Sequence, residues 1–114
     1  MKKIIYLSFL SILLGSCSPL TIDTNASGSQ LIKNNTKFRI NLPEDHRTGY
    51  TWQLNDDYDK SILDHTNTVW EGNSNGVFFY FTSSKKGTTT LNFKSRKHDN
   101  INALKSITIE VFEH

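Results

Sequence analysis

Few side chains in this sequence are spaced for covalent or metal chemistry. Asp56, Asp57 and Asp59 stand close together, as in a calcium loop. The glycine and the distal glutamate of an EF-hand loop are missing, so a solvated turn is the better reading. His46, His65, His98 and His114 are too far apart in sequence to form a pair at metal-ligand spacing. No Gly-x-Ser-x-Gly elbow and no phosphate loop is present. The single thiol, Cys17, falls where acylation would consume it, which leaves no nucleophile for a Cys-His pair. An enzyme is not expected, and neither a metal nor a cofactor.

Three polar stretches are suited to contact instead. The first runs Asp45-His46-Arg47-Thr48-Gly49-Tyr50, behind Pro43-Glu44. Gly49 permits positive φ or a close approach by another backbone, and Thr48 and Tyr50 offer a hydroxyl and an amphipathic ring. The second, Gly72-Asn73-Ser74-Asn75-Gly76, is a bare backbone between two glycines. Such a backbone can pair with an extended peptide. The third is Ser95-Arg96-Lys97-His98-Asp99-Asn100, basic and polar.

Strands must hold these stretches. Thr36–Leu42 alternates polar and apolar residues, the period of a half-buried strand, and Pro43 ends it. Tyr50–Leu54 alternates again, with Tyr50, Trp52 and Leu54 on one face, which makes Trp52 a core residue in expectation. Val77–Phe81 is dense in aromatic residues, and Thr89–Phe93 follows a turn at Lys85-Lys86-Gly87. Ile107, Ile109 and Val111 share a face near the end, while Gln30–Lys33 and Val69-Trp70 are weaker strand candidates. No long window has a helical period. About seven short strands predict an all-β fold, an immunoglobulin-like antiparallel β-sandwich.

Length and charge set the remaining bounds. At 114 residues the chain is one domain. Met1-Lys2-Lys3 followed by the apolar run Ile4–Leu14 reads as a secretory signal, because the run is too short to span a bilayer. Leu14-Gly15-Ser16-Cys17 then resembles the bacterial lipoprotein signal, whose cleavage leaves a lipidated Cys. The expected organisation is a signal peptide over 1–16, a polar tether over 17–29 and a sandwich over 30–114. The anchor at Cys17 implies a location at a membrane of the bacterial cell envelope. Removing 16 of 114 residues leaves 98, and takes two of the 13 basic residues, so 11 stand against 11 acidic ones. A balanced chain gives no electrostatic case for nucleic acid. A monomer is expected.

The three stretches together resemble the chagasin-type inhibitors of papain-like cysteine peptidases, over roughly Leu31 to Phe112. The carriers are Leu42-Pro43-Glu44 leading into Thr48-Gly49-Tyr50-Thr51-Trp52, the Gly72–Gly76 stretch, and Lys85-Lys86-Gly87-Thr88-Thr89-Thr90-Leu91. In that family the first loop usually reads Asn-Pro-Thr-Thr-Gly-Tyr, then a residue, then Trp. Asp45, His46 and Arg47 replace the first three, while Thr48, Gly49, Tyr50 and Trp52 are kept. The family's third loop usually carries Arg-Pro-Trp, of which only Arg96 survives, with Lys97 and His98 beside it. The resemblance implies a sandwich whose three loops form a wedge entering the peptidase cleft, inhibiting reversibly and without a covalent bond. Loss of the proline and the tryptophan is expected to loosen the first loop and remove an aromatic anchor. The competing reading is an envelope-anchored immunoglobulin-like module that binds glycan or a surface protein without inhibiting a peptidase.

Overall fold

The computed structural model describes residues 20–25 and 28–113. The signal segment, Cys17 and His114 lie outside the described residues. Eight strands are present among those described: β1 (Leu20–Ile22), β2 (Gln30–Lys33), β3 (Lys37–Leu42), β4 (Thr51–Leu54), β5 (Leu63–Trp70), β6 (Val77–Ser83), β7 (Gly87–Lys97) and β8 (Asn100–Phe112). They form two four-stranded sheets, ordered β1-β3-β6-β5 and β2-β8-β7-β4. The all-β sandwich expected from the alternation is the observed fold.

The core follows the period-2 pattern closely. Phe38, Ile40 and Leu42 of β3 sit opposite Phe81, Phe79 and Val77 of β6 in the antiparallel ladder, and all six are buried. Leu91 and Phe93 of β7 face them from the other sheet, with Ile107, Ile109 and Val111 of β8. Phe79 and Phe93 meet across the gap with ring centroids 4.9 Å apart. No disulfide is available to hold the layers, so this apolar contact does, at roughly 25 cal/mol per Å² of surface buried.

The structure corrects the sequence reading in three places. Leu20–Ile22, assigned to the tether, forms strand β1 beside β3, because Ile22 is buried and pairs in register with Ile40. Two pairings, β1 with β3 and β2 with β8, are parallel, so the sandwich is not wholly antiparallel. β1 and β2 are short strands, each at the edge of its own sheet. The third correction concerns Ser95–Asn100, which is not an open loop. β7 runs to Lys97 and β8 starts at Asn100, leaving only His98 and Asp99 in the turn. The long β7–β8 hairpin carries its tip beyond the apolar core, where Ile101 and Leu104 stand exposed.

Candidate functional site: three connected loops at one end

The first loop joins β3 in one sheet to β4 in the other. Pro43 ends the β3 ladder, and the chain then makes one turn of 3-10 helix over His46–Thr48. Asp45 caps that turn: its Oδ1 accepts from Arg47 N at 3.0 Å. Arg47 doubles back on its own cap, with Nη2 at 2.6 Å from Asp45 Oδ2. These two hydrogen bonds, side chain first and backbone second, hold the Asp45 carboxyl down at about 2. Thr48 Oγ1 donates to Asp45 O at 2.8 Å and accepts from Tyr50 N at 3.2 Å. Gly49 closes the turn in the left-handed region, φ 82, so the permissive conformation anticipated for it is the one realised.

Beneath this turn lies a residue the sequence reading passed over. Glu44 is buried, with its side chain only 5% exposed. Its Oε1 accepts from Trp52 N at 2.7 Å, and its Oε2 lies 2.7 Å from His46 Nε2. Its main-chain oxygen accepts from the Trp70 indole N–H at 3.0 Å. Trp70, at the end of β5, in turn stacks on His46. In sequence, Pro-Glu-Asp looks like an exposed acidic turn, and no local signal separates a buried Glu from a solvated one. Trp52 is half-buried against the core, and its indole donates to Pro43 O at 2.8 Å. The expectation that it packs rather than projects therefore holds in part.

The second loop, 71–76, is a tight turn. Gly76 N donates to Gly72 O at 2.8 Å and Glu71 N to Gly76 O at 2.8 Å. Gly72 and Gly76 both have positive φ. A Cβ on Gly76 would fall 2.2 Å from Leu42 O, so this glycine is demanded by its packing against β3. Asn41 Nδ2 donates to Asn75 O at 2.8 Å, a second tie between the same segments. Ser74 sits in the turn, exposed.

Cross-links join the three stretches. Asn73 Oδ1 accepts from His46 N at 3.0 Å, fastening the second loop to the first. The stem of Lys97 packs so closely on Gly49 that a Cβ there would approach Lys97 Cε to 3.0 Å, which brings the hairpin tip to the first loop. A shallow cleft of about 300 Å³ at this end is lined by Thr48, Tyr50, Trp52, Asn73, Ser95 and Asn102. Arg96 Nε donates to His98 O at 2.7 Å, so the guanidinium braces the hairpin turn.

The other sequence candidates are occupied in ordinary ways. Asp56 pairs with Lys60 at 2.8 Å, and Asp59 accepts from Ser61 N and Oγ at 2.9 and 2.6 Å. His65 Nε2 lies 2.8 Å from Thr68 Oγ1, at the bulge in β5. Among the described residues, no three His, Cys, Asp or Glu side chains gather as a metal site.

Comparison with known proteins bears on this arrangement. The model of the Chagasin family peptidase inhibitor I42 matches residues 31–111. Among curated proteins nothing matches the chain. The cysteine protease inhibitor EhICP2 from Entamoeba histolytica is similar in structure, with TM-score 0.65 and 16% identity, covering 82% of this chain and 92% of that one. The solution structure of Amebosin is similar too, with TM-score 0.58 and 19% identity, covering 85% and 99%. At such identities the structural likeness speaks for the fold. The family match takes in β2 to β8 and both loops and the hairpin, and on that match the chain belongs to the chagasin family of peptidase inhibitors.

Proposed function

We propose that this protein is a reversible, non-covalent inhibitor of papain-like cysteine peptidases that occludes the active-site cleft with the first loop, the second loop and the β7–β8 hairpin tip. The observation that carries the reading is the cross-linking of the three elements, His46 to Asn73 and Gly49 against Lys97. Elements fixed to one another before docking lose less entropy on binding. Protease–inhibitor interfaces bury roughly 800 Å² per partner, which calls for several elements acting together. The neighbour EhICP2 is itself described as a cysteine protease inhibitor. In this wedge Asp45 to Tyr50 face the catalytic groups, Gly72 to Gly76 run along the substrate-binding edge, and Arg96, Lys97 and His98 brace the opposite wall.

The same reading places the protein at a membrane of the cell envelope through a lipid on Cys17. Acyl labelling of the wild type, absent from Cys17→Ala, tests the anchor. For inhibition the test is titration of papain with the protein, followed by recovery of the inhibitor. Stoichiometric loss of activity with an intact inhibitor chain is expected. Full activity across a panel of papain-like enzymes would return the protein to the glycan- or protein-binding module.

A further inference from the structure

We infer that Glu44 is the positioning residue of the first loop, the group that holds it in the shape that docks. The inference rests on the inhibitor reading for its consequence, though not for its geometry. Three elements converge on this one residue: the start of β4 through Trp52 N, the 3-10 turn through His46, and the end of β5 through the Trp70 indole. The bond from Trp52 N closes the base of the loop, tying the start of β4 back to the loop's second residue. His46 stands where the family loop usually has proline. A proline ring would fix φ by covalent constraint. Here the imidazole is fixed from outside, with Trp70 against its face, Glu44 Oε2 at its Nε2 and Asn73 at its backbone N–H.

Stability alone does not account for a carboxylate in this position. Removing a carboxylate from water is costly, and a well-packed apolar residue in its place is often as stable. What an apolar residue cannot do is accept from Trp52 N and meet His46 at the same time. The other acid of the loop, Asp45, spends its side-chain hydrogen bonds on Arg47 at the exposed tip. Glu44 therefore sets the angle at which the tip leaves the sandwich, and acts through the loop rather than by touching the peptidase.

The experiment compares the full chain with Glu44→Gln, Glu44→Ala and His46→Ala. The readouts are the inhibition constant against papain and hydrogen exchange of the Trp52 amide, with the Phe79 and Ile109 amides as core controls. Glu44→Ala should weaken inhibition by about tenfold or more and speed exchange at Trp52 by a similar factor, while the core amides stay protected. Glu44→Gln keeps an acceptor for Trp52 N and should restore inhibition to within about threefold of wild type. His46→Ala removes the contact with Glu44 and the stack on Trp70 but leaves the bond from Trp52 N to Glu44, and should fall between the two. Equal inhibition by Glu44→Ala and wild type overturns the inference, as does an equal loss in Gln and Ala variants or unchanged exchange at Trp52. Should wild type fail to inhibit any papain-like enzyme, the inhibitor reading falls, and the exchange data still decide whether Glu44 holds the loop.

Discussion

The indole of Trp70 lies flat on the imidazole of His46, with ring centroids 3.8 Å apart and planes 10° from parallel. Trp70 is 40% exposed, so its ring roofs the first loop and does not fill the core. The stack is worth ~0.5–1.5 kcal/mol beyond area, and the indole hydrogen bond to Glu44 O about 1 kcal/mol. Trp70→Ala should therefore cost about 2 kcal/mol, lowering the melting temperature by roughly 10 °C. Trp70→Phe keeps a ring and loses the donor, and should fall midway. Thermal melts of the three proteins decide it, and an unmoved midpoint for Trp70→Ala would show the stack to be idle.

Gly49 carries two constraints from its own fold before any partner arrives: φ 82, and the Lys97 stem beside it. Lys97 is flexible and can yield, so the backbone conformation is the main cost. Gly49→Ala should lose about 1 kcal/mol. Gly49→Asn should lose less, since Asn tolerates the left-handed region. Denaturant midpoints at constant slope are the measurement. Equal losses for Ala and Asn would mean that crowding, not φ, governs the site.

Much of the sandwich is legible because burial leaves a period. Phe38, Ile40 and Leu42 announce β3, and Ile107, Ile109 and Val111 announce the buried part of β8. β5 is nearly silent, since it is an edge strand that buries Leu63 and few other side chains. The hairpin tip reads as loop for a related reason: past Ser95 neither of its strands has a core to face, so no apolar alternation marks it. The residues of the first and second loops are visible as turn chemistry. The residues that hold them, Glu44 and Trp70, are not, because their partners lie 8 and 26 positions away.

Gly72 and Gly76 bound the same turn and should respond differently to a methyl group. A Cβ on Gly72 meets nothing within 4 Å, whereas on Gly76 it would strike the Leu42 carbonyl. Gly72→Ala should cost about 1 kcal/mol, the strain of positive φ alone. Gly76→Ala should cost roughly 2–3 kcal/mol, because the backbone at the end of β3 must move as well. It should also weaken inhibition more, as the first loop starts at that carbonyl. Equilibrium unfolding and inhibition constants for both variants test this, and equal costs would refute the packing argument.

The Asp45–Arg47 bracket makes the tip of the first loop resistant to acid. The Asp45 carboxyl is lowered to about 2 from its ordinary 3.8, by the side-chain and then the backbone hydrogen bond of Arg47. A carboxyl depressed on folding contributes stability above its unfolded value, and that contribution fades as pH falls through its folded value. The bracket should therefore be intact at pH 4 and above and weaken only between about pH 3.8 and 2. Carboxyl-carbon NMR titration of Asp45 should give a midpoint near 2, moving up toward 3.8 in Arg47→Ala. A midpoint that is the same in both proteins would show that the Arg47 side chain does not hold the carboxyl.

Grafting the family's Pro-Trp pair onto positions 97 and 98 looks attractive from the sequence, because it would return an aromatic anchor to the third contact stretch. The structure argues the reverse. Lys97 pairs with Asn100 to close the two-residue turn, and its stem covers Gly49. Proline there lacks the N–H that a ladder position can donate, and its ring replaces the stem that joins the hairpin to the first loop. His98 has φ 53, a conformation in which a bulky residue such as Trp is an outlier. The double variant should lose roughly 1–3 kcal/mol from the strained backbone. It should also inhibit papain less well than wild type, because the hairpin tip no longer bears on Gly49. Inhibition constants and melts of Lys97→Pro, His98→Trp and the double variant separate the two effects. If Lys97→Pro alone inhibits as well as wild type, the contact between Lys97 and Gly49 does not position the wedge, and the hairpin acts independently of the first loop.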